Sequence, residues 1–241
     1  MPMRKYKKSI FLAAAAAVLA LVLGCGFYVG DYYRAEENVM NVSDSVSVET
    51  ADDRIVFTSE KPQAGLIFYP GGKVEFTAYA PLMAKLAEQN ILCVLLKMPL
   101  NLAVLDMNAA EGIPEQYPEV EQWYLAGHSL GGSMAASFAE KHADTYEGLI
   151  LLAAYSTEAL TETGLKVCSL YGDRDGVLNL EKYREYRSNL PADTLELVLE
   201  GGNHAGFGCY GTQEGDGTSS LEPGAQLSWT ADTILEFILE P

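Results

Sequence analysis

Short apolar runs alternate along this chain with segments whose apolar residues recur at helical spacing. Several runs, such as ILCVLL at 91–96, are continuously apolar, as is typical of strands buried on both faces of a sheet. The intervals around Leu82, Phe138, Tyr183 and Phe237 have the spacing of helices. This alternation predicts an α/β fold with a mostly parallel central sheet and helices on both faces. Strands are predicted at residues 54–57, 65–69, 91–96, 122–126, 148–153, 166–171 and 195–199.

A G-x-S-x-G motif lies where one predicted strand ends and a helix begins. Catalytic groups in such a sheet belong at the carboxyl ends of the strands, and Gly127 to Gly131 follows the strand at 122–126. This is the setting of a nucleophile elbow, in which the serine occupies a strained turn and the glycines let helix and strand approach closely. Ser129 is therefore the predicted nucleophile.

A serine hydroxyl is a weak nucleophile and needs a base, and the chain has three histidines. His128 is next to the serine in the elbow and points in the wrong direction to accept its proton. His142 fits a solvated position at the end of a helix. His204 follows the strand at 195–199 in EGGNHAGFG, where a mobile base belongs. We therefore predict His204 as the general base.

The base needs a carboxylate to orient it, and LYGDRDGVLN offers two just after the strand at 166–171. In Gly-x-x-Asp-x-Val patterns the acid is the third residue after the glycine, which favours Asp175. Asp173 is the competing candidate, and the aspartate that does not orient the base would be a surface turn residue.

The chain order Ser129, Asp175, His204, with the strand pattern over about residues 54–240, resembles the α/β-hydrolase superfamily. Four stretches resemble, more narrowly, its compact dienelactone-hydrolase-like bacterial branch: FYPGGKVEFTAYAPLMAKLA, AGHSLGG, YGDRDGV and GGNHAGFGCYG. The resemblance implies a serine hydrolase with a Ser-Asp-His triad.

The resemblance also implies an oxyanion hole made of two backbone N–H groups. One belongs to the residue after the nucleophile, Leu130, and the other to the loop after the third strand. In that loop Gly72 falls at the donor position, with Lys73 as the alternative.

The glycine pair in FYPGGK also invites comparison with a phosphate-binding loop. The pattern G-x-x-x-x-G-K-[ST] needs glycine at 67 and Ser or Thr at 74, but the chain has Ile67 and Val74. There is no C-x-x-C pair and no His/Cys cluster, and the four cysteines do not suggest a disulfide scaffold. We therefore expect no cofactor and no metal site, and free thiols at Cys93 and Cys168.

Three segments are expected to shape the site. Residues 154–165 are too few for a folded cap domain, which predicts an open site. Residues 97–121 contain several apolar side chains that either line an acyl pocket or pack on the sheet. Residues 206–224 form a long glycine-rich loop, and such loops are usually functional or mobile.

The N-terminus combines a basic leader, MPMRKYKKS, with an uncharged apolar run over residues 10–29. At about 1.5 Å per residue, a helix of this length spans roughly 30 Å, the thickness of a bilayer core. We predict one N-terminal membrane helix, a signal anchor, within residues 1–30. A lipoprotein signal ending at Cys25 in VLGC and a cleaved secretory signal are the alternatives. Each places the remainder outside the cytoplasm, with residues 31–52 as an acidic linker and 53–241 as the hydrolase domain.

Acidic residues dominate the composition, with 33 Asp and Glu against 16 Lys and Arg and a net charge of −17. Such a surface repels nucleic acid and anionic headgroups, so we expect membrane contact through the N-terminal segment alone. The leading hypothesis is an extracytoplasmic serine hydrolase that cleaves an ester or related acyl bond of a small molecule. A thioesterase, lactonase or peptidase would use the same mechanism, and a non-catalytic binding or scaffold protein is the other class.

Overall fold

The computed structural model describes residues 31–239 without interruption and, before them, residues 11, 16, 18–20, 24, 26, 28 and 30. The chain divides into a short unit that ends at Tyr32 and a large unit that begins at Tyr33. In the short unit, the described residues up to residue 30 are helical. No helix in the described parts of the chain is long and apolar enough to cross a membrane. Most of the predicted anchor, including Cys25, lies outside the described residues.

One eight-stranded sheet forms the centre of the large unit. Its strands are β1 (Ser47–Thr50), β2 (Arg54–Thr58), β3 (Ala64–Tyr69), β4 (Ile91–Leu96), β5 (Trp123–His128), β6 (Gly148–Leu152), β7 (Lys166–Gly172) and β8 (Leu195–Leu199). The spatial order is β1-β2-β4-β3-β5-β6-β7-β8. The pairs β1–β2 and β2–β4 are antiparallel, and every other neighbouring pair is parallel.

Three of the longer helices of residues 31–239 lie between strands in the sequence, and the fourth follows the last strand. They are α1 (Ala80–Glu88), α2 (Leu130–Lys141), α3 (Leu180–Tyr186) and α4 (Ala225–Leu239). Short 3₁₀ helices lie at Phe76–Tyr79, Pro99–Asn101, Ala103–Leu105, Pro114–Gln116, Ala143–Thr145, Arg187–Asn189 and Ala205–Phe207.

Both faces of the sheet are covered, and each of the strands β2 to β7 contributes to two cores because its successive residues point to opposite sides. In β3, Leu66 and Phe68 belong to the core that includes side chains of α1 and α4. Ile67 and Tyr69 belong to the core that includes side chains of α2. The predicted architecture, a mostly parallel sheet between two helical layers, is confirmed.

The predicted linker at 31–52 differs from the structure. Its last residues form β1, which pairs with β2 at the edge of the sheet, and Val46 is buried in the core. Tyr33 forms a parallel bridge with Val74. The linker interpretation is therefore wrong from Tyr33 onward. The sequence pattern missed β1 because its side chains are mostly exposed, so that backbone pairing rather than an apolar run defines the strand.

The connection between β6 and β7 forms no helix or strand in residues 153–165, all of which are described. No cap domain is therefore inserted at this point of the chain. The carboxyl end of the sheet is shaped instead by the loops that follow β3, β5, β6, β7 and β8.

Candidate active site

Ser129 lies on a sharp turn between β5 and α2. Its backbone angles are φ 52° and ψ −123°, a region in which a residue other than glycine is strained by about 1–3 kcal/mol. Its N–H donates to Leu152 O at 2.9 Å, which fixes the turn against β6. The side chain makes no capping hydrogen bond to the helix that follows. The hydroxyl is therefore not used to cap α2.

The elbow glycines occupy places where a side chain would collide with backbone atoms. A Cβ on Gly131 would overlap the carbonyl oxygens of Tyr69 and Pro70, and one on Gly127 would lie 2.7 Å from Gly131 O. A Cβ on Gly132 would lie 2.7 Å from Gly127 O. Strand β5, helix α2 and the loop after β3 approach one another this closely only because these side chains are absent.

The predicted base and acid form a buried pair. His204 Nδ1 lies 2.8 Å from Asp175 Oδ2, and the two side chains are 1% and 0% exposed. An Nδ1–H that donates to the carboxylate leaves Nε2 as an acceptor. Nε2 is buried and makes no hydrogen bond to any described residue. Ser129 and His204 line the same pocket, so the structure brings the three predicted residues together.

The two candidate carboxylates have different partners. Asp175 Oδ1 accepts hydrogen bonds from the backbone N–H groups of Val177 at 2.8 Å and Leu178 at 2.7 Å. Both oxygens of Asp175 are therefore held, one by the backbone and one by His204. Asp173 is exposed, and its Oδ1 accepts from Gly201 N at 2.7 Å. Asp173 thus stabilises the loop before His204 rather than the imidazole itself.

The loop after β3 places one free amide beside the elbow. Lys73 N–H donates to Asn101 O at 2.8 Å and is therefore occupied. Gly72 N–H has no partner among the described residues, and neither has Leu130 N–H at the start of α2. A Cβ on Gly72 would lie 2.9 Å from Leu130 Cδ2, so the two residues are in contact. The geometry favours Gly72 over Lys73 as the companion of Leu130.

A buried tyrosine joins this loop to the elbow. Tyr79 Oη accepts from Gly71 N–H at 3.1 Å and lies 2.8 Å from His128 Nδ1. We assign the hydroxyl proton to the bond with Nδ1, because the described residues offer it no other acceptor, and this places the imidazole proton on Nε2. Tyr79 and His128 are 0% and 1% exposed. The sequence offered no sign of this contact, because the two residues are far apart in the chain.

His128 is held neutral by its surroundings. Burial lowers the pKa of His128 well below its usual value, and the neighbouring His204 lowers it further. The rings of His128 and His204 are 4.5 Å apart between centroids. Burial also raises the pKa of Tyr79. The hydrogen bond between Tyr79 and His128 therefore joins two uncharged groups at neutral pH.

Asp216, in the long loop at 206–224, ties the histidine segment (residues 200–205, which include His204) to the loop after β7. Its Oδ1 accepts from His204 N at 3.2 Å, Gly176 N at 3.0 Å and Gly217 N at 2.8 Å. Its Oδ2 accepts from Ala205 N at 2.9 Å. Sequence reasoning singled out this loop but gave Asp216 no role, because an aspartate in an aperiodic segment carries no recognisable pattern.

Two pockets of similar size lie near the histidine segment. One, of about 240 Å³, contains Ser129 and His204. The other, of about 270 Å³, is lined by Asn203, Gly206 and residues around the start of α4, and contains none of the three predicted catalytic residues. The smaller pocket is therefore the candidate active site, and its remaining lining residues are Leu130, Ser133, Ala153, Ala154, Tyr155, Val177, Leu178 and Asn179.

The segment at 97–121 does not line the pocket that contains Ser129. Met98 is buried in the core, whereas Leu100 and Leu105 are exposed. The segment contributes instead through Asn101 O, which binds the amide of Lys73. Its role as an acyl pocket is therefore not supported by the lining of this pocket.

The described residues contain no group of three or more His, Cys, Asp or Glu side chains that could hold a metal ion. Cys93 and Cys168 are buried free thiols in β4 and β7, as predicted, and Cys209 is a half-buried free thiol.

Comparison with known proteins agrees with the fold. The sequence profile of the alpha/beta hydrolase family matches residues 65–228, and the chain belongs to that family. Fold and family together define a hydrolase of the alpha/beta type. No curated protein sequence matches the chain.

Solved structures share the fold at low sequence identity. The "predicted CIB-like hydrolase" from Thermoplasma acidophilum is 16% identical with a TM-score of 0.56, over 78% of this chain and 96% of that one. TT1662 from Thermus thermophilus is 17% identical with a TM-score of 0.59, over 81% and 99% of the two chains. Est1E from Butyrivibrio proteoclasticus is 14% identical with a TM-score of 0.58, over 82% and 98%. At these identities the likeness concerns the fold alone.

Proposed function

We propose that this hydrolase is a serine enzyme that cleaves an ester or related acyl bond through an acyl-enzyme intermediate. The observation that carries the proposal is the buried pair of Asp175 and His204: His204 lines the pocket that contains Ser129, and its Nε2 has no hydrogen-bond partner among the described residues. The strained elbow and the two free amides beside it support the same chemistry. Family membership supports hydrolysis in general.

The reaction begins with attack by Ser129 Oγ on the carbonyl carbon while His204 Nε2 takes the hydroxyl proton. The imidazolium that forms keeps its Nδ1–H on Asp175 Oδ2, which stabilises the positive charge. His204 then gives the proton to the leaving group, and an acyl-enzyme remains on Ser129. A water molecule, activated by His204, releases the acid and restores the hydroxyl.

Negative charge on the carbonyl oxygen is stabilised by the N–H groups of Leu130 and Gly72. Both amides lack a partner among the described residues, and the two residues are in contact. An oxyanion donor of this kind contributes about 3–4 kcal/mol to the transition state. Because these groups are fixed before the substrate arrives, little reorganisation is needed during the reaction.

The cellular setting is part of the proposal. The basic leader and the apolar run at 10–29 support a membrane anchor with the hydrolase domain outside the cytoplasm. Mass spectrometry of the N-terminus from membranes distinguishes a retained anchor, lipidation at Cys25 and cleavage. The net charge of −17 supports a small-molecule substrate rather than nucleic acid.

Labelling with a fluorophosphonate tests the mechanism. The full chain in detergent is expected to carry the label on the peptide that contains Ser129, and Ser129→Ala should remain unlabelled. Circular dichroism of both proteins establishes that they are folded. A folded wild type that resists the label would contradict the proposal and would favour a non-catalytic binding protein on this fold.

Replacement of the two aspartates tests the assignment of the acid. Asp175→Asn should lower kcat by about 10⁴-fold because His204 would lose the partner that selects its tautomer. Asp173→Asn is the matched control, and a change of only a few fold is expected because Asp173 does not contact His204. The reverse order of effects would reassign the acid.

A further inference from the structure

The pocket around Ser129 has an uncharged lining. Among the described residues that form it, none is Lys, Arg, Asp or Glu. Ala153, Ala154, Val177 and Leu178 contribute aliphatic side chains to it. A carboxylate placed there would lose its water without meeting a positively charged partner, which is costly.

The walls of this pocket are fixed. The backbone amides of Val177 and Leu178 are held by Asp175 Oδ1 at 2.8 and 2.7 Å, so one wall is attached to the carboxylate that also binds His204. Two contacts of Tyr155 hold the other wall in place. Its ring stacks on Tyr186 at 5.4 Å between centroids and 13° between planes, and its carbonyl accepts from Ser133 Oγ at 2.8 Å.

The residues that follow β6 form part of the pocket wall. Ala153 has a φ of 47°, a strained value for a residue other than glycine, and its N–H donates to Leu170 O at 2.7 Å. The next residue, Ala154, is buried against the elbow helix near Gly132. These contacts fix the alanine backbone beside Ser129, so the pocket has little freedom to widen on this side.

We propose that the pocket seats a short, uncharged chain of the substrate, so that the enzyme prefers neutral esters and gains no further kcat/KM from chain atoms beyond the pocket. The inference rests on the proposed function, because it assumes that Ser129 attacks the ester. A volume of about 240 Å³ corresponds to about eight water molecules at about 30 Å³ each, so about that many non-hydrogen atoms of the chain fit inside the pocket. The net charge of −17 adds a longer-range repulsion of anionic substrates.

Two series of neutral esters test the length limit on the full chain in detergent, at concentrations below those at which the esters aggregate. One series varies the acyl chain with a fixed alcohol, and the other varies the alcohol with a fixed acyl group. In one series, kcat/KM should rise by up to about fourfold per methylene and stop rising at about eight non-hydrogen atoms. The series in which kcat/KM stops rising shows which half of the ester, acyl or alcohol, occupies the pocket. A continued rise in both series overturns the proposal.

Leu178→Ala is designed to enlarge the pocket. The length at which kcat/KM stops rising should move up by about two to three methylenes, because the leucine side chain is removed while its amide still binds Asp175. Leu190→Ala is the matched control, since Leu190 is a buried core leucine that does not line the pocket. It should leave the limit unchanged. An equal shift in both variants, or none in Leu178→Ala, overturns the proposal, and Leu178→Val replaces Leu178→Ala if that variant does not fold.

The charge of the substrate provides an independent test. A half-ester of a dicarboxylic acid should have a kcat/KM at least about tenfold below that of the neutral ester of equal length. Most of this difference should persist at 0.5 M salt, where repulsion from the protein surface is screened but loss of hydration in the pocket is not. Preference for the anionic ester overturns the proposal. If fluorophosphonate labels Ser129 while these substrate results fail, the pocket inference alone is wrong; if Ser129 is not labelled, the proposed function itself fails.

Discussion

The nucleophile elbow and the histidine segment meet at one pocket but are built by different means. The elbow depends on backbone atoms in van der Waals contact, as at Gly131, where no side chain fits. The histidine segment is held by side chains from distant parts of the chain. Asp175 binds the ring of His204, and Asp216 binds its backbone amide.

This difference determines how each part should respond to substitution. Close packing of backbone atoms has no way to relax, so an added methyl group must displace the strand, the helix or the loop after β3. A segment held by hydrogen bonds can lose one bond and keep the fold, although its position changes. We therefore expect damage to the elbow to appear as lost stability, and damage to the histidine segment to appear as lost activity.

The largest effect is expected from Gly131→Ala. Its Cβ would overlap the carbonyl oxygens of Tyr69 and Pro70, and neither is a flexible side chain. The free energy of unfolding should fall by more than about 4 kcal/mol, or folding should fail. Gly164→Ala is the control, because Gly164 has a φ of 76° and nothing within 4 Å of its Cβ position. Backbone strain alone should then cost about 1–2 kcal/mol, measured by denaturant unfolding. Equal losses in the two variants would refute the steric account of the elbow.

Asp216→Asn should have the opposite character. The new amide nitrogen cannot accept a hydrogen bond, so one of the amides at His204, Ala205, Gly176 or Gly217 loses its partner. We expect a loss of about 1–3 kcal/mol in unfolding free energy. The fall in kcat should be about 10- to 100-fold with little change in KM, because a displaced base impairs the chemical step.

The control for Asp216 is again Asp173→Asn, which alters another loop aspartate that accepts from a backbone amide. Asp216 is a positioning residue in this account and does not touch the substrate. A loss of stability in Asp216→Asn without the kcat effect would show that its carboxylate serves folding alone. A rise in KM at constant kcat would place Asp216 in substrate binding instead.

The same contrast explains what could be predicted from the sequence. Strands such as β4 are predicted from apolar runs, and the turn at Ser129 is predicted from a motif whose glycines are neighbours in the chain, so the sequence alone locates both in the fold. Edge strand β1 was missed because its side chains are mostly exposed. The contact between Tyr79 and His128, like the role of Asp216, depends on residues that only the folded chain brings together. His204 is identified by elimination among three histidines and by its position after a predicted strand, whereas its contacts with Asp175 and Asp216 appear only in the folded chain.

The smallest effect concerns His128, where elbow and histidine segment touch. Its pKa is well below 6.5 in the folded protein because the ring is buried, whereas the unfolded chain should titrate near 6.5. Below that pH the unfolded state binds more protons, so the stability that His128 provides is complete above pH 6.5 and is lost as the pH falls. The free energy of unfolding should therefore change by at most about 1.4 kcal/mol per pH unit through this group. Unfolding curves at pH 8, 6.5 and 5 measure it.

His128→Asn removes this titration while its side-chain oxygen remains able to accept from Tyr79. Wild type should lose about 1–2 kcal/mol more than the variant between pH 6.5 and pH 5, a window above the usual pKa range of carboxylates. At pH 8 the variant should be the less stable protein, because the smaller side chain leaves space beside the ring of His204. Parallel stability curves would mean that His128 is not the group that takes up the proton.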